Sequence, residues 1–164
     1  MDNAVFGADV VVHIGILVHD IEETAEAYAA FLGVSKPEIS ITSPYQESRT
    51  TYLGTPTEAR VRQTNFQIGP NLQIELLEPT QEPSAWRNDL NAHGEGFHHI
   101  ALQVGDLERY IDAGIAKGCK LVQSGQWDTG RYVYLDAFET LKLAIEIMAP
   151  RKDLDKGLQP NAEA

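Results

Sequence analysis

The stretch HIGILVHDIEETAEAYAAFLG, residues 13–33, is answered later in the chain by HIALQVGDLERYIDAGIAKG, residues 99–118. Each begins His-Ile and runs through apolar residues to a valine, Val18 or Val104. Each then reaches an aspartate, Asp20 or Asp106, at a constant offset of 86. The apolar run predicts a strand, and the aspartate is a helix N-cap whose carboxylate can accept from free N–H groups of the first turn. Ile21, Ala25, Tyr28 and Leu32 recur at helical spacing in the first copy; Leu107, Tyr110, Ile111 and Ile115 do so in the second. Gly33 and Gly118 then end the two helices.

The rest of each copy reads as strands. VRQTNFQIG (61–69) and LQIELLEP (72–79) flank Gly69-Pro70-Asn71, a hairpin signal. RYVYLDA (131–137) and LKLAIEIMA (141–149) flank FET, and further strands are predicted near 38–43 and 120–124. The polar, turn-rich stretch 43–59 reads as a long loop. Strand–helix–three strands, stated twice, predicts a duplicated α+β domain. The expected boundaries are a first βαβββ module over 8–79, a linker over 80–96 with a short helix from Ser84, and a second module over 97–149. The polar tail 150–164 is expected to be disordered.

Thirteen basic residues against 24 acidic ones give a net charge of −11, which argues against nucleic-acid and anionic-membrane partners. The single cysteine, Cys119, forms no intramolecular disulfide and suits a reducing compartment. VVVHIGILVH, between Asp9 and Asp20, is too short to span a bilayer, and the first basic side chain is Lys36, so no signal peptide is read. A soluble cytoplasmic protein is the expectation.

GEGFHHIALQV (94–104) sets His98 and His99 side by side. Successive strand residues point to opposite faces, so the two imidazoles are not expected to serve one site. The repeat matches His13 to His99 and leaves His98 opposite Val12, which selects His99 and gives His98 a packing or supporting role. The last strands of the copies each hold one carboxylate in an apolar run, Glu75 and Glu146, both written Ile-Glu, two apolar residues, one position, then proline. A carboxylate among Ile, Leu and Met is costly unless paired or bound to a cation. Taken singly, each residue has a plain structural reading: a histidine at a strand end, or a Glu75 facing solvent with Ile74 and Leu76 on the other face. Their coincidence with the repeat favours one shared site of imidazole nitrogens and carboxylate oxygens, suited to Zn, Co, Mn, Ni or Fe rather than Ca.

From about residue 10 to residue 149 the chain resembles the vicinal oxygen chelate superfamily, which includes glyoxalase I, extradiol dioxygenases, drug-resistance proteins and methylmalonyl-CoA epimerase. HIGILVHDIEETAEAYAAFLGV, IELLEP and LNAHGEGFHHIALQVGDL look most like the epimerases. The resemblance implies two βαβββ modules paired into an incomplete, curved mixed β-barrel around one divalent metal ion. Its ligands would be His13, Glu75, His99 and Glu146, and the protein would be a homodimer acting on a small molecule, with an acyl-CoA as best match. The implied reaction is an isomerisation or epimerisation by α-proton abstraction through a stabilised enolate. Glu146 would double as ligand and proton carrier, Glu75 would be mainly a ligand and the second catalytic candidate, and Gln63 would hydrogen-bond substrate.

There are departures. Residues 43–59 and the stretch from Gly125 lack the His-Pro-Lys-like turn and glycine-rich approach of the epimerases, and Gln63 falls near the place of their second catalytic glutamate. A glyoxalase I-type lyase shares the ligand set. Extradiol dioxygenases use three ligands without the Glu75 position, and drug-resistance binders lack the metal set, so the full quartet weighs against both. For a CoA's phosphates Arg49, Arg60, Arg62 and Arg131 are available, and Tyr45, Tyr52, Trp86, Trp127 and Tyr132 are candidates to line a pocket.

Overall fold

The computed structural model describes residues 11–151, so the expectations for 8–10 and for most of the tail lie outside the described residues. In chain order the first half holds β1 (Val11–Leu17), α1 (Ile21–Leu32), β2 (Ser40–Ile41), α2 (Tyr45–Ser48), β3 (Thr51–Tyr52), β4 (Thr55–Pro56), β5 (Val61–Ile68) and β6 (Leu72–Pro79). Helix α3 (Ala85–His93) leads to β7 (Gly96–Gln103), α4 (Leu107–Ala116), β8 (Lys120–Trp127), β9 (Gly130–Asp136), α5 (Phe138–Leu141) and β10 (Ala144–Pro150). Among the described residues no helix is long and apolar enough to cross a membrane.

Local chemistry sets the helix ends. The Asp20 carboxylate accepts from Glu23 N–H at 3.0 Å, Asp106 from Arg109 N–H at 3.4 Å, and Ser84 Oγ from Arg87 N–H at 3.1 Å. Gly33 takes the left-handed conformation after α1, at φ 69°. Each long helix covers its own half: Ile21, Ala25 and Ala29 of α1 pack with Phe66 and Leu76, and Leu107 of α4 packs with Val133, Leu135 and Ile147. A third cluster at the junction holds Leu17, Leu77, Trp86, Leu90 and Tyr134.

The strands form one ten-stranded mixed sheet, ordered β2-β5-β6-β1-β7-β10-β9-β8-β3-β4 and curved into an open half-barrel. The antiparallel β1–β7 pair joins the two halves, with three strands beyond β1 and five beyond β7, and its register maps onto itself when the halves are exchanged. Ile14 faces Ile100, Gly15 faces His99 where His13 faces Ala101, and Ile16 faces Phe97 where Val11 faces Leu102. The steps from Gly15 to Ile16 and from Val11 to His13 each skip a residue, so His98 and Val12 are the extra residues of two matching β-bulges.

Three local expectations change. FETL is the short helix α5, and Lys142, at φ 65°, delays β10 to Ala144 rather than 141. The strand expected at 120–124 runs on to Trp127. The loop 43–59 is partly ordered structure: α2, then a β3–β4 hairpin whose Thr51 and Tyr52 pair with Ser124 and Gln123 of β8. This segment of the first half thus crosses to the far edge of the second. Its order comes from a distant strand, which local pattern does not carry.

Candidate metal centre

The sheet register assembles the site in two rows. One runs Glu75–Gly15–His99 across β6, β1 and β7; the other runs His13–Ala101–Glu146 across β1, β7 and β10. Residues in register share a face, so both histidines and both glutamates point into the hollow of the half-barrel. His13 Nε2 lies 2.9 Å from Glu146 Oε2, 3.0 Å from His99 Nε2 and 3.3 Å from Glu75 Oε2. His99 Nε2 lies 3.3 Å from Glu146 Oε2 and 3.6 Å from Glu75 Oε2. One ligand atom from each of the four comes within 4.8 Å of the others, and all four residues are buried.

These spacings fit a metal ion. Donors about 2.1 Å from a common centre stand about 3.0 Å apart at right angles and about 3.4 Å apart at the tetrahedral angle. Two nitrogens and two carboxylate oxygens form a borderline donor set, not the all-oxygen cage of Ca²⁺.

The electrostatics of the protein alone point the same way. Burial lifts the Glu75 carboxyl to about 7, with the charge of Glu146 adding and that of His13 opposing. Burial would raise Glu146 too, but hydrogen bonds to His13 and His99 hold it below the usual carboxylate range. His13 is pulled down by burial, yet its hydrogen bond to Glu146 and the two carboxylate charges raise it above 6.5 overall. His99 has no exposed surface and is lowered to about 4, burial outweighing Glu146. Two buried carboxylates share two imidazoles that cannot neutralise both, and a dication would satisfy all four groups.

Gly15 makes room for this arrangement. A Cβ built there would lie 1.9 Å from His99 Cε1, because the imidazole occupies the space a side chain would fill. Tyr134 stands beside Glu146 across the β9–β10 ladder, fully buried, its hydroxyl raised well above 10 by burial and then by the two glutamates. Neither residue carries a sequence signal of its own, since each is defined by a partner on another strand.

A cavity of about 390 Å³ opens above the quartet, with His13, Glu75 and Glu146 in its floor. Gln63 of β5 lines it, as do Trp86, Tyr132 and Trp127, whereas Tyr45 and Tyr52 do not. Thr42 and, from the crossing segment, Ser43, Ser48 and Thr50 also line it. None of the four arginines lines this cavity. Arg60 Nε donates to Thr42 O at 2.6 Å, Arg62 pairs with Glu22 and Glu78, and Arg131 pairs with Glu108. Arg49 lines an adjoining cleft that shares Ser43, Gln126 and Trp127 with the cavity.

His98 departs from the alternation rule. Its Nδ1 lies 2.9 Å from His99 Nδ1, although the two are neighbours in one strand. The bulge at His98 breaks the alternation and turns its ring toward that of His99. Both imidazoles therefore bear on the site, one at the quartet and one behind it.

Comparison with known proteins gives a consistent family picture. Residues 12–135 match the model of the Glyoxalase/Bleomycin resistance protein/Dioxygenase superfamily. An uncharacterised Bacillus subtilis protein, YqjC, is 27% identical over 144 residues, covering 86% of this chain and 92% of its own length. The methylmalonyl-CoA epimerase of Mycobacterium tuberculosis superposes with a TM-score of 0.59 at 20% identity, covering 93% of this chain and 97% of that one. A Streptomyces coelicolor methylmalonyl-CoA epimerase variant, solved with 2-nitronate-propionyl-CoA, superposes at 0.54 with 22% identity, covering 89% and 97%. At these identities the solved structures establish a shared fold.

Proposed function

Since this chain belongs to the Glyoxalase/Bleomycin resistance protein/Dioxygenase superfamily, we propose that it is a divalent-metal-dependent isomerase or epimerase. It would remove a proton α to a carbonyl and return it through an enolate. The observation that carries this reading is the buried quartet His13, Glu75, His99 and Glu146 in the floor of the cavity. These four would hold one ion of Zn, Co, Mn, Ni or Fe. When bound, such an ion supplies Lewis acidity that polarises the carbonyl and lowers the cost of enolate charge.

The chain's own groups do the rest. Glu146 takes up the α-proton and returns it, and Glu75, which would help hold the ion, is the second carboxylate within reach. The Gln63 amide hydrogen-bonds the substrate, and Trp86, Tyr132 and Tyr134 exclude water from the reacting carbon. The substrate class proposed is an acyl-CoA, supported by the fold shared with methylmalonyl-CoA epimerases. A homodimer belongs to the same proposal.

One observation favours a second reading. Among the described residues, the carboxylates lining the cavity are Glu75 and Glu146, both in the quartet, with the neutral Gln63 across from them. Epimerisation needs proton carriers on both faces of a planar enolate, or one mobile group that serves both. A glyoxalase I-type lyase, acting on a thiol hemiacetal, can work with one. Metal-loaded protein incubated in D₂O with (2R)- or (2S)-methylmalonyl-CoA tests the choice. Deuterium at the α-carbon supports the epimerase. No uptake there, together with conversion of a methylglyoxal–thiol hemiacetal, supports the lyase, and failure of both contradicts the proposal.

A further inference from the structure

We infer that His98 and Asp89 form a relay behind the metal centre that holds His99 as an Nε2 ligand and links it to helix α3. This rests on the metal reading above. His99 has one nitrogen at the quartet; its other, Nδ1, meets His98 Nδ1 at 2.9 Å. His98 Nε2 in turn meets Asp89 Oδ2 at 3.0 Å. His98 is 2% exposed, so these partners account for its polar atoms away from water.

Only one proton arrangement makes every step a hydrogen bond while His99 ligates through Nε2. His99 then carries its proton on Nδ1 and donates it to the lone pair of His98 Nδ1. His98 is left with its proton on Nε2, which donates to the Asp89 carboxylate, an acceptor only. The carboxylate therefore fixes the tautomer of His98, and His98 fixes that of His99. A ligating imidazole whose outer N–H is held in this way is a better donor and keeps one ring orientation.

The far end of the relay is seated firmly. Asp89 lies on α3, whose Trp86 and Leu90 are buried in the junction cluster. The start of α3 is fixed by Ser84 and by Gln123 Oε1, which accepts from Ala85 N–H at 2.8 Å. Trp86 also lines the cavity, so one helix turn joins the wall of the cavity to the support of a ligand. His98 and Asp89 are positioning residues in this account, since neither reaches the cavity.

The test uses Zn²⁺ alone, measured against a competing chelator, with wild-type protein, His98→Phe, His98→Asn and Asp89→Asn. His98→Phe keeps a ring in the space and removes the acceptor, so affinity should fall by about 10- to 100-fold. His98→Asn returns a carbonyl oxygen near the Nδ1 position and should recover most of that loss; Asp89→Asn should lose less than His98→Phe. Equal affinity of wild type and a folded His98→Phe overturns the relay while leaving the metal reading intact. A wild-type protein that takes up no Zn²⁺ overturns both. Nitrogen NMR of Zn²⁺-loaded wild type needs no variant. It should show protons on His99 Nδ1 and His98 Nε2, and a proton on His98 Nδ1 instead would overturn the relay.

Discussion

The two halves of the molecule present the histidines of the quartet through the same strand geometry but surround them differently. In both, the residue before the histidine is the extra residue of a β-bulge on the β1–β7 pair. In the first half that residue is Val12; in the second it is His98, tied to Asp89. Across the ladder His13 faces Ala101, whereas His99 faces Gly15, over which its ring lies. His13 is 7% exposed and borders the cavity, while His99 is completely buried. The duplicated backbone places the four side chains symmetrically, and the differences around them set a cavity-side histidine, His13, against a fully buried one, His99.

The sharpest way to break this asymmetry is Gly15→Ala. The added Cβ meets a buried ring with nowhere to go, so His99 must leave the quartet. Zn²⁺ affinity should drop by about 100-fold or more, beyond the usual effect of losing a supporting contact. Ala101→Gly, the matching change opposite His13, should cost about 0.5–1 kcal/mol of stability and leave affinity nearly unchanged. Equal effects of the two changes on chelator competition would erase the distinction.

The glutamates should differ next. Glu146→Gln should slow α-proton exchange by about 10²- to 10⁴-fold, as loss of a proton carrier does. Glu75→Gln should act mainly on metal affinity, with the smaller effect on exchange once metal is saturating. Exchange rates at saturating metal separate these, and a reversed order would exchange the assigned roles.

The charge balance of the quartet predicts opposite pH trends with and without metal. In metal-free protein the raised Glu75 and His13 bind protons more tightly folded than unfolded. The stability they lend is complete below their unfolded values and is lost as pH rises through about 7 for Glu75 and above 6.5 for His13. Glu146, shifted downward, is deprotonated in both states above 6.5 and contributes no slope there; His99, lowered to about 4, adds a smaller opposing slope that fades as the unfolded imidazole loses its proton just above 6.5. The metal-free Tm should therefore fall from about pH 6.5 to about pH 8 through these groups. With excess Zn²⁺ it should rise over the same range, because binding requires deprotonated ligands. Parallel melting curves would contradict this.

The smallest effects belong to features the halves share. Asp20→Ala and Asp106→Ala should each cost about 1 kcal/mol through loss of a helix cap. The loss should be smaller at Asp106, whose bond to the backbone is longer, 3.4 Å against 3.0 Å. Denaturant midpoints would show this.

The same division explains how much of the molecule is legible in its sequence. The duplicated α+β architecture and the convergence of His13, Glu75, His99 and Glu146 were legible, because a constant offset of 86 marks equivalent positions and symmetry brings equivalents together. The relay was not. Strand alternation gives His98 a packing or supporting role without naming its partners, and only the skipped pairing opposite Gly15 and Ile16 shows the bulge beside His99. Asp89 and Gly15 carry no local signal, since each is defined by a histidine elsewhere in the fold, His98 and His99. Tyr134 went unremarked because its place beside Glu146 is set by cross-strand register. Residues 43–59 read as loop in the sequence because their pairing partner, β8, lies about half the chain away.

The central claim is that these four side chains form one divalent-metal site. Metal analysis after reconstitution of the metal-free protein, run beside Glu146→Gln, tests it most directly. The account predicts about one ion bound per chain in the wild type and clearly weaker retention in the variant. A wild-type protein that remains metal-free after reconstitution with Zn, Co, Mn, Ni and Fe in turn would contradict it.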